Sequence, residues 1–124
     1  MEIINLKSTE DTPHVILDAL SGQFEITEKS LPEDAAQFYN VILDWLSRYI
    51  KEPNPQTNFV FKLDYFNTAS AKQLFKILSL LEILSKTNEV IISWYYMRED
   101  KDMLASGERY AKLVNIKINL IEYC

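Results

Sequence analysis

The chain has 124 residues, of which 48% are hydrophobic and 12% aromatic, so it is about one domain long and can form a core. Its 18 acidic and 13 basic residues give a formal net charge of -5, and this negative field disfavours nucleic acid as a partner. Two glycines and one cysteine are too few for a glycine-rich nucleotide loop or an internal disulfide. We therefore expect a single domain over residues 1–124, without a cofactor or a metal.

No segment of the sequence predicts an export signal or a membrane anchor. The first residues, MEIINLKSTED, lack a basic segment followed by an apolar one. No apolar stretch approaches the roughly 18 residues that are needed to span a bilayer. We therefore expect a cytoplasmic protein that does not bind membranes.

The beginning of the chain carries the signals of short strands. Residues 2–6, 14–20 and 23–27 are rich in β-branched and other apolar residues, and Ser21 and Gly22 form a turn signal between the last two segments. This pattern predicts an N-terminal antiparallel hairpin or meander.

The first helix is predicted over residues 32–51. Ser30 and Glu33 are a possible capping box at its start, and Pro53 and Pro55 lie beyond its end. Two adjacent apolar stripes run along it: Phe38, Ile42, Trp45 and Tyr49, and beside them Tyr39, Leu43, Leu46 and Ile50. This surface is wider than packing on one sheet face requires, so either the fold covers the surplus, as we expect, or a partner does.

The remainder of the chain alternates strands with helices. Strands are predicted at 58–66, 89–97 and 115–123, and helices at 70–86 and 100–114. The order β-β-β-α-β-α-β-α-β implies right-handed crossovers and a largely parallel sheet in this part. The sequence therefore predicts an α/β fold, in which a mixed sheet with an N-terminal antiparallel hairpin carries three main helices.

One group of carboxylates could hold a cation. Glu99, Asp100 and Asp102 fall within MREDKDM, but the remaining ligands and the glycine of a calcium loop are missing. The simpler interpretation is a solvated helix start, where the positive end of the helix dipole favours negative charge and Asp100 or Asp102 lies near the cap. A metal-dependent enzyme that uses these three carboxylates is the alternative from another class.

Two hydroxyl residues, Thr68 and Ser70, lie where a predicted strand gives way to a predicted helix. An oxygen of Asn67 or Thr68 could cap this helix by accepting a hydrogen bond from a free backbone N–H. A phosphate on Thr68 would also suit the position, because helix N-termini favour anions and the carboxyl ends of parallel strands are where α/β sheets bind ligands. These residues alone leave both interpretations open.

Three blocks of the sequence resemble the SiaC family of bacterial regulatory phosphoproteins: SGQFEITEKSLPEDAAQFYNVILDWLSRYI, FKLDYFNTASAKQLFKIL and MREDKDMLASGERYA. The resemblance extends over nearly the whole chain. It implies a small, non-catalytic signalling protein whose architecture is similar to that of the anti-sigma factor antagonist (STAS) domains.

The resemblance also implies a site. Within YFNTAS, Thr68 would be phosphorylated by a partner kinase and dephosphorylated by a PP2C-like phosphatase, and the unphosphorylated protein would bind and activate a diguanylate cyclase. We expect the partner-binding surface to comprise Tyr65, Asn67, Thr68, Ser70 and Lys72. The alternative is a constitutive interaction domain that uses the apolar face of the first helix, with Thr68 only a cap.

Overall fold

The computed structural model describes all residues from 1 to 124 and contains six strands and three helices. The strands are β1 (Ile4–Leu6), β2 (His14–Asp18), β3 (Gln23–Ser30), β4 (Gln56–Phe66), β5 (Glu89–Met97) and β6 (Ile118–Tyr123), and the helices are α1 (Ala35–Tyr49), α2 (Thr68–Ser85) and α3 (Lys101–Leu113). The predicted order of elements is confirmed. None of the helices combines the length and the hydrophobicity required to cross a bilayer.

The six strands form one mixed sheet in sequential order, from β1 to β6. The first three strands pair antiparallel, with Gly22 at φ 76° in the turn between β2 and β3, and the strands from β3 to β6 pair parallel. Because every right-handed crossover after β3 advances in the same direction, α1, α2 and α3 all cover the same face of the sheet. The predicted α/β fold is confirmed.

The covered face of the sheet carries an aromatic core that holds the helices in place. The ring of Phe24 on β3 lies 5.2 Å from the ring of Tyr49 on α1. The ring of Trp94 on β5 lies 5.5 Å from Phe61 on β4 and 5.5 Å from Tyr110 on α3. Such pairs contribute about 0.5 to 1.5 kcal/mol each beyond the burial of their area, so they help to hold α1 and α3 in place on the sheet.

The wide apolar surface of α1 is covered mostly within the fold, as expected. Five of the eight residues in the two stripes are buried, while the other three pack only partly against the core: Phe38, Leu43 and Ile50. What remains open is a shallow groove between α1 and α2, with a volume of about 310 Å³, which Leu43, Phe75, Leu80 and Ile83 line.

The predicted capping box of Ser30 and Glu33 is wrong. The N-cap of α1 is Asp34, whose Oδ1 accepts a hydrogen bond from the backbone N–H of Gln37 at 3.0 Å. Ser30 is instead the last residue of β3, because the parallel pairing with β4 continues as far as Phe66. The side chain of Ser30 therefore lies in the interior, where it has a different set of partners.

We expect the substitution Gly107→Ala to destabilise the fold, although an exposed helical glycine replaced by alanine usually gains about 1 kcal/mol. An added Cβ would lie 2.6 Å from Leu120 Cδ2 and 2.6 Å from Trp94 Cδ1, so α3 would have to move off the sheet. The free energy of unfolding should fall by about 1 to 3 kcal/mol in urea titrations. Ser106→Ala on the same helix is the control and should be close to neutral; a stability gain for Gly107→Ala would contradict the packing.

Candidate functional site

The site predicted around Thr68 lies at the carboxyl end of β4, where the chain turns into α2. Asn67 is the N-cap of this helix, since its Oδ1 accepts a hydrogen bond from the backbone N–H of Ser70 at 2.8 Å. Thr68 is the first residue of the helix and is exposed. Of the two possible caps, Asn67 is therefore the one that is used, and the hydroxyl of Thr68 does not perform that task.

The start of α2 suits an anion electrostatically. The first N–H groups of a helix have no intrahelical acceptor, and the helix dipole places partial positive charge there. No acidic side chain occupies the first turn of α2, and Lys72 is exposed four residues after Thr68, on the same side of the helix. A phosphate on Thr68 would thus find free donors and a nearby cation.

A break in the pairing of β3 with β4 decides which side chains reach this surface. Glu28 pairs with Leu63 and Lys29 pairs with Tyr65, so Asp64 of β4 has no partner on β3. Glu28 also has a positive φ of 75°. Such bulges redirect the side chains that follow them. After this one, Phe66 packs against the core while Tyr65 is 57% exposed.

Ser70 is not an exposed contact residue, which corrects the prediction that it meets partners directly. Its hydroxyl is fully buried, 2.8 Å from the Oγ of Ser30, and it also donates to the backbone carbonyl of Ser30 at 3.1 Å. The Oγ of Ser30 lies 2.6 Å from the hydroxyl of Tyr39 on α1. Ser70 therefore anchors the start of α2 to the end of β3, while Tyr65, Thr68 and Lys72 are the exposed members of the predicted set.

A second tyrosine reaches the same turn of α2 from the other side. The hydroxyl of Tyr110 on α3 donates to the backbone carbonyl of Ala71 at 2.6 Å. Burial raises the pKa of Tyr39 to about 12, with the hydrogen bonds of Ser30 and Ser70 opposing it in part. Burial likewise raises the pKa of Tyr110 to about 12. Both hydroxyls therefore keep their protons at neutral pH and can act as donors.

The exposed surface of α2 continues from Thr68 along the helix. Thr68, Lys72, Phe75 and Ile83 follow one another at helical spacing, and Phe75 and Ile83 are 36% and 52% exposed. Sequence reasoning missed the last two as candidate contact residues. The signal was present, because both fall outside the apolar stripe of positions 74, 77, 78, 81 and 84 that faces the core.

The carboxylates of MREDKDM form a helix start, as expected. The Oδ1 of Asp100 accepts a hydrogen bond from the backbone N–H of Met103 at 2.9 Å, which makes Asp100 the N-cap of α3, and Asp102 lies in the first turn. The structure brings no group of three or more His, Cys, Asp or Glu side chains into a metal-binding arrangement. Asp64, Asp100 and Asp102 do share a cleft of about 110 Å³ with Tyr65, so the surface next to the site is acidic.

Comparisons with known proteins cover nearly the whole chain. The model of the family described as "SiaC family regulatory phosphoprotein" matches residues 6–123. An uncharacterized protein of Pseudomonas aeruginosa (strain UCBPP-PA14) is 25% identical over 111 residues, which are 89% of this chain and 88% of that protein.

Two solved structures have the same fold. SiaC of Pseudomonas aeruginosa matches with a TM-score of 0.89 and 22% identity, over 99% of this chain and 100% of that one. A chain of the crystal structure of the diguanylate cyclase SiaD in complex with its activator SiaC, also from Pseudomonas aeruginosa, matches with a TM-score of 0.90 and 22% identity, over 97% of this chain and 99% of that one.

Replacing the cap and replacing the exposed threonine should have different effects on stability. Asn67→Ala removes the acceptor for the N–H of Ser70 and should lower the free energy of unfolding by about 0.5 to 2 kcal/mol. Thr68→Ala should change it by less than about 0.5 kcal/mol, because an exposed surface side chain is lost. Urea titrations of both variants measure the difference, and equal losses would contradict the assignment of the cap.

The two buried tyrosines should make the protein less stable at high pH. The folded-state pKa values of Tyr39 and Tyr110 lie above the ordinary value of 10.0, so their contribution is complete below pH 10 and is lost as the pH rises towards 12. For Tyr39 the loss is up to about 1.4 kcal/mol per pH unit, and for Tyr110, which lies nearer the surface, it is smaller. Urea titrations between pH 8 and 11.5 should show a shallower decline for the double variant Tyr39→Phe/Tyr110→Phe; identical slopes would contradict the pKa shifts.

Proposed function

Because the chain belongs to the SiaC family of regulatory phosphoproteins, we propose that it is a non-catalytic signalling protein that phosphorylation of Thr68 switches. In the unphosphorylated state it binds and regulates a partner enzyme, a diguanylate cyclase. The observation that carries the proposal is the position of Thr68, exposed on the first residue of α2 while Asn67 performs the capping.

The two hydroxyl residues at this junction differ in accessibility. The hydroxyl of Ser70 is buried and engaged with Ser30, so an enzyme could not reach it without opening the start of α2. The hydroxyl of Thr68 is exposed and dispensable for the cap. This contrast favours Thr68 as the phosphoacceptor, and a kinase and a PP2C-like phosphatase would act on it from the solvent.

The partner class is supported by the solved complex from Pseudomonas aeruginosa, in which SiaC is the activator of the diguanylate cyclase SiaD. The surface of this chain that would meet such a partner combines Tyr65, Thr68 and Lys72 with the exposed apolar residues Phe75 and Ile83 of α2. An apolar patch beside a modifiable hydroxyl is suited to a switch. One phosphate there raises the free energy that a partner needs to remove water from the whole surface. All these encounters would take place in the cytoplasm.

The phosphate would act on binding and leave the fold intact. It adds about -1.5 to -2 charges at pH 7 together with strongly hydrated oxygens, which a partner packed on Thr68 would have to strip of water. Within the chain the same charge lies at the favourable end of the α2 dipole. Phosphorylation should therefore weaken the complex while the melting temperature stays the same or rises slightly.

A constitutive interaction domain is the second candidate. The groove between α1 and α2, lined by Leu43, Phe75, Leu80 and Ile83, favours it, since such a surface could bind a partner whatever the state of Thr68. The two candidates differ in one measurable quantity, the ratio of the affinities of the phosphorylated and unphosphorylated forms for the same partner.

We expect the phosphorylated form to bind the diguanylate cyclase of the native host at least about tenfold more weakly than the unphosphorylated form, which corresponds to about 1.4 kcal/mol in calorimetry. Thr68→Ala should bind like the unphosphorylated protein. Thr68→Asp should weaken binding only in part, because one carboxylate carries less charge and fewer acceptor oxygens than a phosphate.

The matched control for this experiment is Ala36→Asp, which places the same charge at the exposed start of α1, outside the proposed surface. It should bind like the wild-type chain. Equal affinities of the phosphorylated and unphosphorylated forms would reject the switch and favour the constitutive domain.

A further inference from the structure

The first turn of α2, which carries Thr68, is held by hydrogen bonds from two other elements, β3 and α3. The backbone N–H of Asn67 donates to the carbonyl of Ser30 at 3.0 Å, and the hydroxyl of Ser70 bonds to Ser30 twice. From α3, the hydroxyl of Tyr110 reaches the carbonyl of Ala71. The first turn of a helix has few intrahelical bonds and readily frays, so these contacts replace what the helix itself does not provide.

Counting protons fixes the direction of the buried hydrogen bonds. Ser70 donates its only hydroxyl proton to the carbonyl of Ser30, because a carbonyl can only accept. The bond between the two serine hydroxyls must then use the proton of Ser30. Ser30 has no further proton, so the hydroxyl of Tyr39 is the donor in the bond at 2.6 Å. Tyr39 is thus the first donor of a chain that passes through Ser70 at the start of α2 and ends at the carbonyl of Ser30.

The two tyrosines approach the turn from different sides. Tyr39 belongs to α1 and acts through Ser30 on Ser70, two residues after Thr68. Tyr110 belongs to α3 and acts on Ala71, three residues after Thr68. A turn that is held at both points has little freedom to rotate or unwind.

We propose that Tyr39 and Tyr110 are positioning residues for Thr68, whose hydroxyls hold the first turn of α2 and so fix the direction in which Thr68 is presented to the kinase. The inference rests on the proposed function of Thr68. Phosphoryl transfer depends on placing the attacking oxygen in line with the phosphate, and small displacements lower its rate. Neither tyrosine touches the phosphate or the nucleotide; each acts through the turn.

The chain contains a matched control in Tyr49. Its hydroxyl is also buried, lies on the same helix as Tyr39, and bonds to a strand hydroxyl, that of Thr57, at 2.8 Å. It also accepts from the backbone N–H of Asn54, and it makes no contact with α2 through this oxygen. Tyr49→Phe therefore removes two hydrogen bonds of a buried tyrosine, at least as many as either test variant loses, without touching the turn that carries Thr68.

The test compares full-length Tyr39→Phe, Tyr110→Phe and Tyr49→Phe with the wild-type chain. The initial rate of phosphate incorporation at Thr68 is measured in an extract of the native host with ATP, at increasing concentrations of the chain, by site-resolved mass spectrometry. We expect the maximal rate to fall at least about threefold for Tyr39→Phe and Tyr110→Phe, with little change in the half-saturating concentration. Tyr49→Phe should match the wild type, although urea titration should show a similar loss of stability.

A double variant tests the route from Tyr39. If Tyr39 acts through Ser30, then adding Tyr39→Phe to Ser30→Ala should lower the rate no further than Ser30→Ala alone. If Tyr39→Phe does not fold, Tyr110→Phe carries the test, because its hydroxyl lies at the edge of the core.

The outcomes separate this inference from the proposed function. Equal maximal rates for all four chains would overturn the positioning role, and so would an equal decline in the three variants, which would indicate a general loss of packing. A wild-type chain that takes up no phosphate at Thr68 would instead overturn the proposed function itself.

Discussion

The pair of buried hydroxyls on Ser30 and Ser70 is the constraint on which the site depends. A buried polar group without a partner costs about 1 to 3 kcal/mol, so these two oxygens tie the end of β3 to the start of α2 across 40 residues of sequence. Every buried side-chain nitrogen and oxygen has a partner. Thr68 takes no part in the hydrogen bonds between Ser30 and Ser70, and its side chain is exposed to solvent.

The hydrogen bonds at this junction explain why Thr68 is exposed and Ser70 is buried, although the two residues are close in sequence. Asn67 caps the helix and Ser70 forms buried hydrogen bonds with Ser30, while the exposed side chain of Thr68 makes no such bond. The aromatic core beneath, in which Trp94 contacts both Phe61 and Tyr110, keeps the sheet and α3 in register with this corner. We therefore expect a phosphate on Thr68 to leave the fold intact while it alters the surface of α2.

Much of this was accessible from the sequence, because strands and helices of this length are specified by local patterns. The order of elements, the mixed sheet and the helix start at Asp100 follow from apolar periodicity and capping residues. What failed depended on contacts between distant segments. Ser30 was assigned to a helix cap and Ser70 to the partner-binding surface, since local patterns do not show that the two hydroxyls meet. The exposure of Tyr65 depends on a break in strand pairing near Glu28, and no pattern in the sequence predicted this break.

The proposed switch requires that Thr68 is the residue of this chain that is phosphorylated. The most direct measurement is the intact mass of the chain isolated from its native host, followed by site-resolved fragmentation of the segment from Phe61 to Leu78. We expect a fraction of molecules that carry a single phosphate, located on Thr68, with none on the buried Ser70. A phosphate on Ser70, or a chain that remains unmodified while its kinase is active, would contradict this expectation.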